Sequence, residues 1–435
     1  MNNTNTADLA FINGQVITVD PQNRVVQALA VTGNKISRLG STEEIKTLIG
    51  PQTRVIDLKG SSLLPGLIDS HLHMAIQGSN EMNVNCKFPR VKSIEDIKNE
   101  IREAARKTPP GQWIRGWGYD QSKLAEKRHP TRWDLDEAAP HHPVMLIRTC
   151  AHISVNNSKS IELAGIDDHT PDPPGGVMER EGGRLNGVMK EAAHMNMLKA
   201  AAYSEQELID SISLAGSQFA RMGLTSVHDA GAYGPVQMKA LQEAVRQGLV
   251  KTRIYAMVFS LSDNLAFVNN FLKSGFFTGF GDERLRIGCL KVMVDGSSSG
   301  PTAATRRPYN SNPADSGILS MAPEEVDDIF LRAHAAGFQV TAHAVGDRAV
   351  EMVINAIQRA REAIPRPNPR HRIEHCAMVD PQLIARLQAA LEVFFKTGVG
   401  PVDGVHPDGL RDGDPLFRRG RPAFLGNAVD GQVHA

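Results

Sequence analysis

Two hydrophobic patterns divide the chain near residue 63. Before that point, short apolar runs are separated by turn dipeptides such as Asn13-Gly14 and Gly33-Asn34, which favour tight hairpins between antiparallel strands. We predict strands at Leu9–Asn13, Gln15–Asp20, Ala28–Thr32, Lys35–Gly40 and Arg54–Leu58. Ser41 is followed by two glutamates, which predicts a short helix that ends by residue 49. Residues 1–63 are therefore expected to form the N-terminal part of a small β-sandwich domain.

After residue 63, continuous apolar runs alternate with amphipathic helical stretches. Such runs are typical of parallel strands that are covered on both faces. The predicted strands are Leu64–His71, Leu224–His228, Thr252–Val258, Leu285–Val294, Gln339–His343, His371–His375 and Leu391–Phe395. The predicted helices between them include Glu205–Met222, Pro235–Gln247, Pro323–Ala336 and Asp347–Ala363. This order predicts the α/β class and a TIM-type (β/α)8 barrel over residues 64–395, with the last strand missing.

Two segments depart from the strand–helix alternation. An insertion at about residues 76–200 holds all three tryptophans and several Pro/Gly turns, and we expect it to elaborate the substrate side of the barrel. From Pro401 to Ala435 the chain contains no Lys, Ile, Ser or Thr, and hydrophobic periodicity is lost. We expect residues 396–435 to be a poorly ordered tail, produced by truncation or by a reading-frame shift. A natural divergent tail is the alternative.

Composition limits the classes of partner. Lys plus Arg and Asp plus Glu each total 48, so neither a nucleic acid nor an anionic membrane is indicated. The four cysteines are far apart, which favours free thiols in a reducing compartment over a disulfide framework. The polar N-terminus has no signal-peptide pattern, and no apolar run is long enough to span a membrane. We therefore expect a cytoplasmic protein that acts on a small molecule, with homodimer formation left open.

The first chemical signal is the pair His71 and His73 at the end of an apolar strand. Residues two apart on a strand point to the same face, so both imidazoles can reach one point at the mouth of a barrel. Neutral imidazole suits zinc and similar divalent ions. A His-x-His pair alone is weak evidence, but its position after Leu64-Pro65-Gly66-Leu67-Ile68-Asp69-Ser70 makes a metal site the better interpretation.

The segment Leu64–His73 resembles the first metal-binding strand of the amidohydrolase superfamily. Further stretches resemble its amidohydrolase-3 branch, which includes N-substituted formamide deformylase-like enzymes. These stretches are Trp113–Asp120, Leu135–Pro140, His152 with Val155-Asn156, Thr225–Gly231 and Lys291–Gly296. The likeness runs from about Leu9 to Phe395.

The resemblance implies a site with one or two divalent metal ions, commonly zinc. By that likeness, His71 and His73 hold the more buried ion, while His343 and His375, at two later strand ends, hold the second. Lys291 is then the bridging residue, carboxylated on its side-chain nitrogen, because an ordinary ammonium has no lone pair for a metal. The alternatives are satisfied core histidines and an amphipathic lysine. We favour the metal site because the residues arrive in strand order.

The resemblance also implies a histidine near the substrate, which is His152. From their positions in the chain, Trp117, Tyr119, His228 and Asp295 are further candidates for substrate binding. Aromatic residues in an insertion more often serve packing, and His228 could support a neighbouring residue or be a plain strand-end polar residue. Glu374 is left out, because strand alternation points it away from the face of His375.

The proton shuttle is missing from this set. The family places it on an Asp at the end of strand eight, and none of the tail aspartates (Asp403, Asp408, Asp412, Asp414 and Asp430) has a strand context. The catalytic residue is therefore unassigned. We predict a hydrolase of non-peptide amide bonds in a small N-acyl or N-formyl substrate. The alternatives are a metal-binding chain with impaired catalysis and a mononuclear deaminase.

Overall fold

The computed structural model describes residues 6–260, 265–298 and 300–396. Contacts divide these residues into two units, one comprising the chain up to Ile68 with Gly223–Ser226, and the other Asp69–Met222 with the residues from Val227 onward. Within these ranges, every helix is too short or too polar to cross a lipid bilayer. The expected tail, residues 396–435, lies outside the described residues except for its first member.

The first unit is built from two small sheets. Its elements are β1 (Leu9–Ile12), β2 (Gln15–Ile17), β3 (Val25–Val26), β4 (Ala28–Thr32), β5 (Lys35–Gly40), α1 (Thr42–Lys46), β6 (Arg54–Asp57) and β7 (Ser62–Leu63). One sheet has the order β5-β4-β1-β6 and the other β3-β2-β7. Helix α1 begins where the sequence predicts, because Ser41 and Glu44 form a reciprocal capping box.

The chain continues with the first barrel strand, β8 (Leu67–Leu72), whose residues from Asp69 onward open the second unit, and with helix α2 (Met74–Met82). The insertion follows as β9 (Val84–Asn85), α3 (Ile94–Lys107), β10 (Ile114–Tyr119), α4 (Arg132–Ala138), β11 (Val144–Arg148), β12 (Ile153–Asn156), α5 (Ser158–Leu163), β13 (Gly176–Glu181), β14 (Arg184–Glu191) and α6 (Ala192–Ala200), with a short 3-10 helix at Gln121–Lys123. Its six strands form one sheet in the order β13-β14-β12-β11-β10-β9. The insertion is thus a folded layer with its own apolar core.

The remaining elements alternate as the sequence predicts. They are α7 (Glu205–Arg221), β15 (Leu224–Tyr233), α8 (Pro235–Arg246), β16 (Arg253–Phe259), α9 (Ala266–Lys273), β17 (Leu285–Met293), α10 (Pro323–Ala335), β18 (Val340–Ala344), α11 (Asp347–Ala363), β19 (Glu374–His375) and α12 (Pro381–Lys396). The barrel strands form a sheet in the order β19-β18-β17-β16-β15-β8, with parallel pairing from β16 to β19. This is a barrel-like sheet of the TIM type, and the α/β expectation is confirmed.

The prediction of a seventh barrel strand at Leu391–Phe395 is wrong. These residues belong to α12, which begins at Pro381. The preceding residue, Asp380, caps the helix, because its carboxylate accepts a hydrogen bond from the backbone N–H of Leu383 at 2.7 Å. A proline in the first turn and a capping aspartate favour helix initiation. A five-residue apolar run does not by itself distinguish a strand from the end of a helix. In the described residues the barrel sheet therefore has six strands.

Candidate metal centre

Five imidazole rings form a continuous series where the barrel strands end. Ring centroids are separated by 5.4 Å for His73 and His71, 4.7 Å for His71 and His375, 4.5 Å for His375 and His343, and 5.1 Å for His343 and His152. We call these five residues the histidine cluster. Parallel strands end at the same edge of a sheet, so residues distant in sequence converge there.

Four rings of the histidine cluster are held in their neutral form. In the fifth, His152, burial lowers the pKa, but the charge and the hydrogen bond of Glu191 outweigh it and raise the pKa overall. Burial lowers the pKa of His71, His73, His343 and His375, and the charge of Lys291 lowers each of them further. The pKa of His375 falls to about 3. His71 and His73 keep part of their surface open to solvent, yet the surrounding protein is dense enough to disfavour a charged ring. Neutral imidazoles have the lone pairs that a metal ion requires.

Lys291 lies on β17 and is almost fully buried, with 2% of its surface exposed. It faces Thr341 across the sheet, two residues before His343 on β18. Burial lowers the pKa of its ammonium from 10.5 to about 8. At neutral pH the side chain is therefore still mainly an ammonium, but its proton is lost more readily than that of an exposed lysine.

Glu374 belongs to this site, contrary to the sequence-based exclusion. Its carboxylate accepts hydrogen bonds from His71 Nδ1, from the Thr341 hydroxyl at 2.8 Å and from the Arg372 guanidinium at 3.0 Å. Burial raises the pKa of Glu374, but the bond from His71 and the charge of Arg372 outweigh it and bring the pKa to about 2. A carboxylate bound to Nδ1 leaves Nε2 of His71 to face a metal, an arrangement typical of metal-ligating histidines.

Backbone conformation explains the error about Glu374. Alternation of side chains holds only while the backbone stays extended. His375 has a φ of 71° and Cys376 a φ of 49°, so the chain turns into the left-handed region as β19 ends. Two adjacent side chains, Glu374 and His375, consequently reach the same site.

The predicted substrate residues fall into two groups. His152 lies in the histidine cluster, and His228 accepts a hydrogen bond from Arg372 at 2.8 Å on its Nδ1. The carboxylate of Asp295 is fully buried and accepts hydrogen bonds from the backbone N–H groups of Ala304, Val345 and Gly346 at 2.8–2.9 Å. Asp295 therefore ties two loops beside the site together.

The two predicted aromatic residues lie in the insertion. Tyr119 is fully buried in the apolar core there, and its hydroxyl pairs with His129 Nδ1 at 2.8 Å. The ammonium of Lys87 lies 4.1 Å from the ring centre of Trp117. The contacts of Tyr119 agree with packing, the alternative that the sequence left open, and the substrate role of Trp117 stays a prediction.

The donor chemistry of the cluster fits a divalent ion, because neutral imidazoles converge with a buried lysine of lowered pKa and with a carboxylate behind one ring. In the described ranges, however, no group of three or more His, Cys, Asp or Glu side chains is spaced to hold a metal ion as it stands. The cluster thus has the ligand types of a metal site without finished coordination geometry.

Comparisons with known proteins agree with these observations. The Amidohydro_3 model of the amidohydrolase family matches residues 54–398. The chain is 30% identical over 371 residues to N-substituted formamide deformylase of Arthrobacter pascens, covering 82% of this chain and 67% of that protein. It is also 30% identical to the amidohydrolase YtcJ of Bacillus subtilis, covering 87% of this chain and 71% of that one.

Solved structures give the same result. The crystal structure of an uncharacterized metal-dependent hydrolase from Pyrococcus furiosus matches with a TM-score of 0.67 and 28% identity, covering 88% of this chain and 75% of that one. One from Pyrococcus horikoshii matches with a TM-score of 0.69 and 28% identity, covering 88% and 72%.

Proposed function

The chain belongs to the amidohydrolase family, and we propose that it hydrolyses the carbon–nitrogen bond of an amide in a small N-acyl or N-formyl compound. The observation that carries the proposal is the convergence of the histidine cluster and Lys291 at the strand ends. Similarity to a protein named N-substituted formamide deformylase favours a non-peptide amide as the substrate.

We propose that the site takes a divalent metal, zinc in preference, as one or two ions. Similarity to proteins titled metal-dependent hydrolases supports the requirement for a metal. His71 and His73 would hold one ion, His343 and His375 the other, and Lys291 would bridge them as its carboxylated form. When bound, the metal would supply Lewis acidity for the amide carbonyl and lower the pKa of a nearby water molecule.

The chain's own residues orient the parts of this site. Glu374 fixes the ring of His71, and Arg372 holds Glu374 while donating to His228 and to the backbone carbonyl of Ser70 at 2.8 Å. His152 and His228 are proposed to contact the substrate. The residue that moves a proton from water to the leaving nitrogen is unassigned, because the tail aspartates lie outside the described residues.

Two measurements test the proposed function together. The purified chain is loaded with zinc, its zinc content is measured, and hydrolysis of a panel of N-formyl and N-acyl amines is followed by amine release. We expect up to two zinc ions per chain and turnover of at least one small amide. Bound zinc without turnover of any amide would favour the metal-binding chain with impaired catalysis. One ion per chain, with deamination in place of amide hydrolysis, would favour the mononuclear deaminase.

A further inference from the structure

Glu191 occupies an unusual backbone position beside the histidine cluster. It ends β14 and immediately precedes α6, with a φ of 50° and a ψ of −120°. A residue with a Cβ rarely adopts such angles, and it persists there only when its surroundings impose them. Residues held in this way concentrate at functional sites, which directs attention to what Glu191 contacts.

Glu191 holds His152 at two points. Its backbone N–H donates to the carbonyl oxygen of His152 at 3.0 Å. Its carboxylate oxygen Oε2 pairs with Nδ1 of the His152 ring at 2.8 Å. Only 1% of the Glu191 side chain is exposed, so this pairing is shielded from competing water. Glu191 thereby fixes both the main chain and the ring of His152.

The second carboxylate oxygen of Glu191 is fixed from the other side. The hydroxyl of Thr302 donates to Oε1 at 2.5 Å, and the same hydroxyl oxygen accepts from the backbone N–H of Ser297 at 2.9 Å. Gly296 lies against this arrangement, because a Cβ there would collide with both Thr302 Oγ1 and Glu191 Oε1. The carbonyl of Gly296 in turn pairs with Nε2 of His343 at 2.9 Å. The carboxylate therefore has one defined orientation.

The consequence for His152 concerns its two ring nitrogens. Nδ1 is committed to a carboxylate, which can only accept, so in the neutral ring the proton lies on Nδ1. Nε2 then keeps its lone pair, on the side of the ring away from Glu191. The His152 ring lies 5.1 Å from the ring of His343, and it is therefore at the proposed reaction site.

We propose that Glu191 is a positioning residue that fixes the tautomer and orientation of His152, so that Nε2 of His152 accepts a hydrogen bond from the substrate's amide group. The inference rests on the proposed amide hydrolysis and adds to it a residue that acts through His152. Residues that orient an imidazole at a metal site change activity by about 10- to 100-fold when they are mutated.

The first test needs no activity. The chain is labelled with ¹⁵N-histidine, and long-range ¹H–¹⁵N spectra are recorded at pH 8.5, where neutral rings dominate. The His152 signals are assigned by their loss in His152→Gln. We expect His152 to be protonated on Nδ1 in the wild type and to gain the Nε2-protonated form in Glu191→Gln. Protonation on Nε2 in the wild type, or spectra unchanged by Glu191→Gln, would overturn the proposal.

The second test is a double-mutant cycle on hydrolysis of the best N-formyl or N-acyl amine. Glu191→Gln should lower kcat about 10- to 100-fold with a smaller change in KM, and should have no further effect in the His152→Gln background. Equal losses in both backgrounds would assign Glu191 a merely structural role and refute the proposal. Glu179→Gln is the matched control, because Glu179 forms its ion pair with Lys190 within the same β13–β14 pair.

The two tests separate this inference from the proposed function. Melting temperatures and zinc contents of all variants identify any that fail to fold or to bind metal, and Glu191→Asp supplies a second variant that keeps the charge. If no amide is hydrolysed but the tautomer depends on Glu191, the amide proposal fails while the positioning of His152 stands. If amides are hydrolysed but the tautomer of His152 does not depend on Glu191, the amide proposal stands and the positioning role of Glu191 fails.

Discussion

At the residue scale, the site depends on carboxylates that stand behind imidazoles. Glu374 accepts from Nδ1 of His71, and Glu191 accepts from Nδ1 of His152. In both pairs the carboxylate is nearly fully buried, with 2% and 1% of its side chain exposed. A buried acceptor fixes which nitrogen carries the proton and where the other nitrogen points. Each pair thus fixes the orientation of one ring of the histidine cluster.

The pair of Glu374 and His71 leads to a prediction about metal affinity. Glu374→Gln keeps the size of the side chain but removes its charge, so His71 loses its strong acceptor. We expect zinc affinity or amide hydrolysis to fall about 10- to 100-fold, measured in zinc-buffered solutions and by amine release. Glu243→Gln on α8 is the control, because Glu243 pairs with Arg246 on an exposed surface. Equal zinc affinity in wild type and Glu374→Gln would contradict the prediction.

Lys291 leads to a second prediction at this scale. If its carboxylated form bridges the metal ions, Lys291→Ala should lose hydrolysis and leave a cavity beside the site. Acetate or propionate should then restore part of the activity, because they supply the missing carboxylate. Ethylamine serves as the matched probe for a lysine that acts as an amine. Rescue by ethylamine and not by propionate would show that the bridge is not a carboxylate.

At the element scale, the barrel strands carry the proposed metal ligands, and helices between these strands pack against one another. Helices α2 and α7 pack closely, because Gly78 on α2 lies directly against the backbone of Ser211 on α7. Helix α2 begins immediately after His73, so its placement controls where that ring lies. Close helix packing at a glycine is sensitive to any added side chain, since interiors are packed as densely as crystals.

The α2–α7 contact predicts that replacing a helical glycine with alanine lowers the stability of the protein. Alanine is the better helix former by up to about 1 kcal/mol, yet a Cβ at position 78 would collide with the carbonyl of Ser211. We expect Gly78→Ala to lower the free energy of unfolding by about 1–3 kcal/mol in urea titrations. Gly216→Ala on α7 is the control, because its Cβ would first meet Cγ1 of Val250 at 3.0 Å, a much smaller overlap than the approach of 1.8 Å to the Ser211 carbonyl at position 78. Similar stabilities of the two variants would refute the prediction.

At the scale of the whole molecule, a chain of buried imidazoles joins distant parts of the barrel unit. Nε2 of His371 pairs with Nδ1 of His334 at 2.9 Å, and Nε2 of His334 pairs with the carbonyl of Ile364 at 2.7 Å. The backbone N–H of Val340 donates to Nδ1 of His371 at 3.0 Å. The chain thus links α10, β18 and the segment that precedes β19, with each ring neutral.

This imidazole chain predicts a dependence of stability on pH. Burial, together with the neighbouring His334 and the charge of Arg366, lowers the pKa of His371 to about 3, whereas an unfolded histidine titrates near 6.5. Below about pH 6.5 His371 binds a proton in the unfolded chain but not in the folded chain. The free energy of unfolding therefore decreases progressively as the pH falls towards 3. The urea midpoint should therefore fall less steeply between pH 8 and pH 4 in His371→Asn than in the wild type. The control His141→Asn, at an exposed position, should show the same decrease as the wild type.

Metal removal supplies a further prediction for the whole molecule. A ligand that binds only the folded state raises stability, by about 2.7 kcal/mol when its free concentration is 100 times its Kd. We expect zinc to raise the melting temperature, a chelator to reverse the rise, and the variant His343→Ala to show a smaller rise. Melting temperatures that do not respond to zinc in the wild type would contradict a metal site in the folded chain.

The order of the strands was determined by the sequence alone. Continuous apolar runs followed by amphipathic helices predicted the barrel, and they placed the candidate ligands His71, His73, His343 and His375 at or just after predicted strand ends and Lys291 within a predicted strand. These features are readable because strand alternation and helical periodicity act over a few neighbouring residues. The family followed from the resemblance of Leu64–His73 and the further stretches to the amidohydrolase-3 branch, which the family match over residues 54–398 confirms.

Only the tertiary structure decided which side chains meet. Glu374 joined the site because the left-handed backbone at His375 breaks the alternation, and Glu191 approached His152 because β12 and β14 pair. Tyr119 lies in the apolar core of the insertion. Leu391–Phe395 are helical because they continue the helix that begins at Pro381. Such outcomes depend on contacts between residues far apart in the chain and on single backbone angles, and neither leaves a periodic mark in the sequence.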